Sequence, residues 1–439
     1  MPTMLDSYVT EAERTAAGRR QSDPAWVSEA RRNALDRFRM LGFPTTRDEE
    51  WRFTNVAPIA ERAFGLAANG AAGLRPQDLE PFRLPGQTAA TLVFANGRFV
   101  PAASDLSGLP DGVIVDSLAH AVVEPSSGIE RHLTRAATVD RHAFTALNTA
   151  FLLDGAFVSV PDEVMVDAPI HCLFVSTGDE RQMAAHPRVL VVLGASSRAS
   201  IVESYGVVRA SDYFTNAVTE IVAGENARLE HYKLQQESAA SAHIAAMYVR
   251  AARNSTVTCH SIGFGGSLVR NDVVVVLDGE GGECTLNGLY LGGGRALVDN
   301  HTTIDHARPH CASREIYKGI LADHARAVFN GKIIVRPDAQ KTDAKQTNKA
   351  LLLSEDAQIN TKPQLEIFAN DVKCTHGAAV GQMDDEAIFY LRARGLGEQE
   401  ARRILIRAFA GDLLNRIPLA ALGARLDEDL MRRLPGGYA

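Results

Sequence analysis

A cysteine and a histidine two positions apart, Cys374 and His376, are the side chains of this sequence best suited to chemistry. They end a strand-like run, and side chains two apart in a strand point to the same face. A thiolate and an imidazole side by side suit iron or an iron–sulfur cluster. Because a cluster usually takes about four protein ligands, the pair predicts a site that a second polypeptide completes. The other interpretation is a packed cysteine beside a hydrogen-bonded histidine.

A second concentration of metal-binding side chains lies earlier, at His301, His306 and His310 with Cys311. Imidazoles and a thiol are suitable ligands for a mononuclear metal site. Spacings of five and four residues, however, place the three imidazoles on one face of neither a strand nor a helix, and Pro309 interrupts the run. The pattern argues against a metal site and leaves the role of these histidines open.

The segment that must position these residues, from about 155 to 380, is rich in β-branched runs between glycine, asparagine and aspartate turns. Similar short strands recur in it at intervals of about 28 residues, around Ile201, Leu229, Val257, Thr285 and Arg314. Such a period predicts a parallel β-helix, in which each coil buries its inward face by stacking on the next. A β-sandwich with coincidental spacing is the alternative. The same period predicts a polar column of Glu203, His231, Cys259 and Asn287.

Changes in pattern divide the chain into three regions. Residues 1–150 are mixed and largely helical, 151–382 form the parallel β-helix core, and 383–439 are helical again. Asp384 is suited to cap the first of the carboxy-terminal helices. A longer helix, from about 398 to 416, carries an apolar face that we expect to bind a partner protein. The residues of that face are Ile404, Leu405, Ala408 and Phe409.

The composition, with 439 residues, 46% of them hydrophobic, and a net charge of −7, is that of a globular protein. The negative charge argues against nucleic-acid binding, and no apolar run approaches the roughly 20 residues of a membrane-spanning helix. No secretory signal is visible and the five cysteines form no Cys-x-x-Cys pair, so we expect reduced thiols and a cytoplasmic location. Phosphate-loop, zinc-protease and serine-hydrolase motifs are missing, which leaves enzymatic activity without support.

Several longer stretches resemble the SufB/SufD family of iron–sulfur cluster assembly proteins. These stretches are residues 49–54, 330–333, 346–354, 363–367 and 372–378. The resemblance extends over nearly the whole chain and is densest from about 310 to 416. It implies a helical amino-terminal region, a right-handed parallel β-helix core and a carboxy-terminal helical region that contacts the ATPase SufC.

The resemblance also implies an assembly and a task. The family's scaffold is a heterodimer of SufB and SufD with two SufC subunits, in which SufC hydrolyses ATP and the scaffold pair builds the cluster. A subunit of this kind needs no permanent cofactor, only a transient iron–sulfur cluster shared with SufB. A homodimer is a further form open to the isolated chain.

Within the family, Thr347 favours the SufD branch, because the SufB pattern has a cluster-linked cysteine at this position, after the glutamine that matches Gln346. The resemblance implies that His376 contributes to the nascent-cluster site at the SufB interface, with Cys374 as a secondary participant. Two alternatives are a SufB-like subunit that forms a homodimeric scaffold and, from a different class, a β-helix carbohydrate-active enzyme. The lack of a secretion signal argues against the enzyme.

Overall fold

The computed structural model describes residues 4–67, 74–140, 142–178 and 182–434. Its strands are β1 Gly65–Leu66, β2 Ala90–Ala95, β3 Arg98–Phe99, β4 Ile114–Ser117, β5 Gly155–Val160, β6 Ile170–Ser176, β7 Met183–Ala185, β8 Arg188–Leu193, β9 Arg198–Val207, β10 Tyr213–Ala223, β11 Arg228–Gln236, β12 Ala242–Ala251, β13 Thr256–Gly263, β14 Leu268–Leu277, β15 Glu283–Gly292, β16 Leu297–His306, β17 Ala312–Leu321, β18 Arg326–Val335, β19 Asp343–Leu352, β20 Gln358–Ile367 and β21 Lys373–Gln382. Its α-helices are α1 Met4–Gly18, α2 Ala25–Leu41, α3 Ala57–Ala60, α4 Pro76–Leu79, α5 Leu118–Ala121, α6 Ala143–Ala150, α7 Asp385–Arg392, α8 Glu398–Leu414 and α9 Ala420–Arg433. Short 3₁₀ helices cover Glu49–Trp51, Glu80–Phe82, Pro101–Ala103, Pro125–Ser127 and Ile129–Arg131.

Two sheets wind around each other as a β-solenoid of about eight turns, which confirms the predicted fold class. Sheet I contains the even-numbered strands from β8 to β20, and sheet II the odd-numbered strands from β9 to β21. Along this series each strand pairs in parallel with the corresponding strand of the next coil. Antiparallel pairs occur near the start, between β2 and β3 and between β4 and β5.

The repeat is real, but the period of about 28 residues gives the wrong register at several coils. Coil length varies between aligned strand starts, from 26 residues between Ala242 and Leu268 to 32 between Arg326 and Gln358. Turns of unequal length cause this variation, because the paired strands themselves stay in step. The predicted polar column is therefore wrong at two of its three steps, and only the pairing of His231 with Cys259 is confirmed. The pairs are Glu203 with Lys233, His231 with Cys259, Cys259 with Leu286, and His260 with Asn287.

The interior of the solenoid is filled by the inward faces of both sheets. Alternate residues of each strand point inward, so aliphatic side chains of sheet I meet those of sheet II. Examples are Val191, Ile221, Val249 and Val275 from sheet I, and Leu229, Val257 and Leu286 from sheet II, all nearly inaccessible to solvent. This stacked column of apolar side chains is the largest hydrophobic cluster among the residues that the structure describes.

The two helical regions cover opposite outer faces of the solenoid. Helices α1, α2 and α6 pack on sheet I, against outward residues that include Phe214, Ile244 and Leu268. Helices α8 and α9 pack on sheet II, against residues that include Tyr232, Ile262 and Leu289. Asp384 caps α7 as predicted, since its carboxylate accepts the backbone N–H of Glu386 at 2.9 Å. None of the described helices is long and apolar enough to cross a membrane.

The last coil, formed by β20 and β21, is left largely uncovered. Most residues of β21 are exposed, whereas the equivalent inward residues of β19, such as Ala344 and Gln346, are buried. The difference arises because, among the described residues, no further coil stacks on β21. The solenoid therefore ends in an open surface.

Candidate functional site

Cys374 and His376 lie together on the uncovered last strand, β21. They pair in register with Ala344 and Gln346 of β19, both of which point into the solenoid. Cys374 and His376 thus share the inward face. Cys374 is half-buried against the apolar cluster that includes Ile333, whereas His376 is exposed.

The donor set of this pair is incomplete. Burial raises the pKa of the Cys374 thiol, so binding a metal there requires loss of a proton that the free chain holds. In the part of the chain that the structure describes, no group of three or more histidine, cysteine or carboxylate side chains is arranged to hold a metal ion. One thiol and one imidazole on an open surface can supply part of a coordination shell, and the remaining ligands must come from outside.

Behind His376 lies a buried polar pair that the sequence analysis missed. Gln346 donates from Nε2 to Oε2 of Glu315 on β17, at 2.7 Å. Glu315 is only 1% exposed, and burial raises the pKa of its carboxyl to about 7 despite the hydrogen bond from Gln346, which lowers it. The signal that could have found it is the inward parity of Glu315 in the strand repeat, since an inward carboxylate in an apolar lumen is unusual.

The open surface around the pair has an apolar component. Val380 of β21 is 47% exposed, and Ile367 and Phe368, at the end of β20, are 39% and 60% exposed. Among the described strands, β21 is also the edge of sheet II, and β19 is its one strand partner. An unpaired strand edge beside exposed apolar residues is suited to pairing with another chain.

The four residues predicted to bind a partner lie on α8. This helix is anchored to sheet II by Ile406, Ala410 and Leu413, which are fully buried or nearly so. Ile404 is 41% exposed, Ala408 is exposed and Leu405 is half-buried. Phe409 instead packs partly against the solenoid, with its ring 4.9 Å from Nζ of Lys318. Large apolar residues of α7 add to the exposed face, at Phe389 and Tyr390.

His301, His306 and His310, which are close in sequence, lie apart in the structure. His301 lies on the outer face of sheet I, His306 is buried in the interior with its ring 2.9 Å from the Ser313 hydroxyl, and His310 is exposed at a turn. Burial lowers the pKa of His306 to about 4, so its ring is neutral at pH 7. The three imidazoles do not form a common site.

His301 helps to hold a segment that crosses sheet I, which we call the strap and define as residues 49–54. Its ring lies 3.0 Å from Asp299 and 3.3 Å from Glu50. Burial alone would lower the pKa of His301, but its interactions with Asp299 and Glu50 raise it to about 9. The imidazole is therefore protonated at neutral pH and acts as a cation between two carboxylates.

The strap contacts four successive strands of sheet I. Arg270 of β14 stacks on the Trp51 ring at 3.8 Å, and Thr54 donates to Asp299 of β16. Asn330 of β18 and Lys362 of β20 donate to Glu50 and Glu49 at 3.3 and 2.9 Å. Beside it is a cleft of about 550 Å³ that Trp51, Arg270 and His301 help to line. The strap thus links the amino-terminal region to the coils near the open end.

Comparison with protein families assigns both halves of the chain. Residues 174–409 match the model described as the SUF system FeS cluster assembly SufBD core domain, and residues 5–172 match the SufBD protein N-terminal region. The chain belongs to the SufB/SufD family. Most of the solenoid, its open end and the strap all fall within the matched residues.

Individual relatives support the same assignment. A SufBD-family iron–sulfur cluster assembly protein of Synechocystis is 36% identical over 404 residues, covering 90% of this chain and 88% of the relative. SufD of Escherichia coli is 32% identical over 405 residues, covering 92% of each. SufD of Bacillus subtilis is 26% identical over 426 residues, covering 94% of this chain and 95% of the relative.

These matches assign a role to the chain at the level of the family. Within the SufB/SufD family it is most like SufD, and its role is in iron–sulfur cluster assembly by the SUF system. The alternative of a carbohydrate-active enzyme receives no support from them.

Proposed function

We propose that this protein is a non-catalytic scaffold subunit of a cytoplasmic SufBCD complex, which supports assembly of iron–sulfur clusters at its interface with SufB. The observation that carries the proposal is the pair Cys374 and His376 on an uncovered solenoid end with an incomplete donor set. A cluster needs more ligands than this surface supplies, and a partner docked on the open coil would provide them. The cluster is then a transient cargo shared with SufB, and the subunit needs no permanent cofactor. All five cysteines are free, as is typical of a reducing compartment.

SufC is the second partner in the proposal, and the exposed side of α7 and α8 is its docking surface. Ile404 and Ala408 are exposed on α8, Leu405 is half-buried, and Phe389 of α7 is 74% exposed. The opposite side of α8 is already occupied by the solenoid, so a partner can reach only the outward side. SufC would hydrolyse ATP, and the scaffold would transmit the resulting movement to the shared interface.

The proposal is tested by co-expressing the chain with tagged SufB and SufC and measuring which subunits co-purify. The expected result is one complex that contains all three proteins. Recovery of this chain with SufC alone, as a homodimer, would instead support the alternative of a SufB-like homodimeric scaffold. Failure to bind either protein would reject both.

Val380→Asp is expected to weaken association with SufB by at least about tenfold. Val380 shares the inward face of β21 with His376, and a carboxylate buried in an apolar contact costs well above the roughly 1.4 kcal/mol that corresponds to a factor of ten. Because Val380 is exposed in the free chain, the melting temperature should stay the same. Binding is measured by titration of purified SufB.

Met165→Asp is the matched control for Val380→Asp. Met165 is 59% exposed near the opposite end of the solenoid, so the same change there should leave SufB binding intact. Equal affinity of Val380→Asp and the unmodified chain for SufB would show that the open end is not the interface.

Ile404→Asp is expected to weaken SufC binding without unfolding the carboxy-terminal helices. Deleting residues 383–439 would be a poorer test, because it would uncover Tyr232, Ile262 and other outward residues of sheet II. The exposed Ile404 can be changed at a cost near zero, since surface substitutions usually alter stability by less than about 0.5 kcal/mol. SufC retention on the tagged complex is measured beside Met40→Asp, a 70% exposed residue of α2. Undiminished SufC retention would contradict this docking surface.

A further inference from the structure

Lys318 of β17 lies between the solenoid and α8, and it is a charged residue in a largely apolar contact. It is only 4% exposed. Its Nζ donates to the backbone carbonyl of Phe409 at 2.8 Å and pairs with the carboxylate of Asp412 at 2.9 Å. The same Nζ lies 4.9 Å from the centre of the Phe409 ring, close enough for a cation–π contact. All of these contacts are with α8, so one ammonium joins this helix to one strand.

The other contacts between α8 and sheet II are apolar. Among the described residues, every hydrogen bond or ion pair between α8 and a strand involves Lys318. Helix α9 is held differently. It is tied to β11 by Gln236, which donates to Asp429 at 3.0 Å, and to the end of β13 by Arg433, which donates to the Phe264 carbonyl at 2.8 Å. The position of α8 on the solenoid thus depends on a single polar side chain of the sheet.

The coils on either side of Lys318 explain why a polar contact is needed. Leu234, Ile262 and Leu289 precede Lys318 at the same position of successive coils, and all three are buried. Lys349 follows it in the next coil and is exposed. Apolar contacts are not directional, so the apolar side of a helix fits one such coil about as well as the next, about 4.8 Å away. Lys318 is the point at which neighbouring coils stop being equivalent.

The carboxylate that pairs with Lys318 is half in water. The side chain of Asp412 is 51% exposed, and the hydrogen bond and charge of Lys318 lower the pKa of its carboxyl. Loss of the lysine would therefore leave Asp412 hydrated, and the contact would keep no buried charge without a partner. A buried ion pair often adds little net stability but can select one arrangement among several. We therefore expect this pair to fix where α8 lies, with little effect on whether the chain folds.

We propose that Lys318 is a positioning residue that holds α8 in one register on sheet II and thereby directs its exposed side, with Ile404, toward SufC. This rests on the proposed function, in which that side of α8 is the docking surface. Without the ammonium, α8 divides between its present position and one shifted by a coil. Only one of the two presents Ile404 in the direction that SufC needs. The apparent affinity for SufC then falls in proportion to the fraction of chains in that register.

The test measures the position of α8 in the full chain, without SufC, by double electron–electron resonance. Spin labels are attached at two exposed sites, Glu400→Cys on α8 and Met165→Cys near the opposite end of the solenoid. The background is Cys374→Ser, because the other four cysteines are buried. With Lys318 intact the labels should give one distance. Lys318→Met should add a second that differs by about 5 Å, the spacing of one coil, at an unchanged melting temperature. Lys349→Met is the matched control and should give one distance.

Titration with SufC then relates the position of α8 to docking. The factor by which Lys318→Met weakens SufC binding should equal the inverse of the fraction in the original register, about twofold if that fraction is one half. A single unchanged distance in Lys318→Met overturns the proposal, and so does a second distance with unchanged affinity for SufC.

If Lys318→Met does not fold, Asp412→Ala serves instead, because it removes the carboxylate of the pair at an exposed site. A single distance in Asp412→Ala overturns the proposal equally. Retention of SufC by Ile404→Asp would reject the docking surface of the proposed function instead. The distances are measured without SufC, so they would still show whether Lys318 positions α8.

Discussion

His376→Ala is expected to leave the complex with SufB and SufC assembled but to lower its iron and sulfide content by about tenfold or more. The imidazole is exposed, and none of the hydrogen bonds between described residues involves it, so its loss should change stability by less than about 0.5 kcal/mol. Mutating a residue that hydrogen-bonds to a metal ligand typically lowers metal affinity by about 10 to 100-fold. Removing a ligand itself should lower it at least as much.

Iron, sulfide and melting temperature are measured on the co-expressed complex after purification without oxygen. Lys373→Ala is the matched control, because Lys373 is exposed on the same strand but points to the other face. A buried structural histidine would behave differently, since unsatisfied hydrogen-bond partners cost about 1–3 kcal/mol. Normal loading, or a large fall in melting temperature, would argue against a role of His376 in cluster assembly.

The solenoid could be predicted from the sequence because each repeat contains a short strand segment that can be recognised without knowing which strand it pairs with. Short β-branched segments such as those around Leu229 and Val257 recur at nearly the right interval, and these two residues do pair. The register could not be predicted, because turns of different length change each coil by a few residues. A slip of one or two residues suffices to separate Asn287 from Cys259 and pair it with His260.

Of the residues at the candidate site, only Cys374 and His376 on the last strand could be predicted from the sequence. Cys374 and His376 are neighbours in sequence, so strand parity alone brings them to one face. Glu315 and Gln346 are 31 positions apart, and their hydrogen bond exists only because β17 and β19 are stacked in register. The contacts of His301 with the strap could not be predicted for the same reason, because the strap is far from His301 in the sequence.

The apolar pattern of α8 shows a different limit. The helix carries apolar residues on more than one side, and the side chosen from the sequence contains Ile404 and Ala408, which are exposed. The side that anchors the helix contains Ile406, Ala410 and Leu413. Periodicity identifies an amphipathic helix, but which apolar side faces the protein depends on the surface that receives it.

Arg270→Met is expected to reduce the free energy of unfolding by about 3–5 kcal/mol, the usual effect of removing one partner from a buried ion pair. Arg270 is 2% exposed and lies 2.8 Å from both Asp272 and Asp299. Methionine can fill much of the space, but it leaves the largely buried carboxylate of Asp272 without the cation that pairs with it and leaves Asp299 with the cation of His301 alone. It also removes the donor that reaches the Glu50 backbone carbonyl at 2.7 Å and the partner of the Trp51 ring, so the strap should loosen.

Urea unfolding measures the stability, and limited proteolysis within residues 45–60 measures the strap. Arg250→Met is the matched control: Arg250 pairs with Asp278 at the same distance of 2.8 Å but is exposed, so its loss should cost less than about 1 kcal/mol. Arg270→Lys should fall between the two, because an ammonium keeps the charge but cannot bond both carboxylates in the planar geometry of arginine or stack as well on Trp51. If Arg270→Met were as stable and as resistant to protease as Arg250→Met, the ion pairs under the strap would not be what holds it, and the contacts of Glu49 and Glu50 with the last coils would have to suffice.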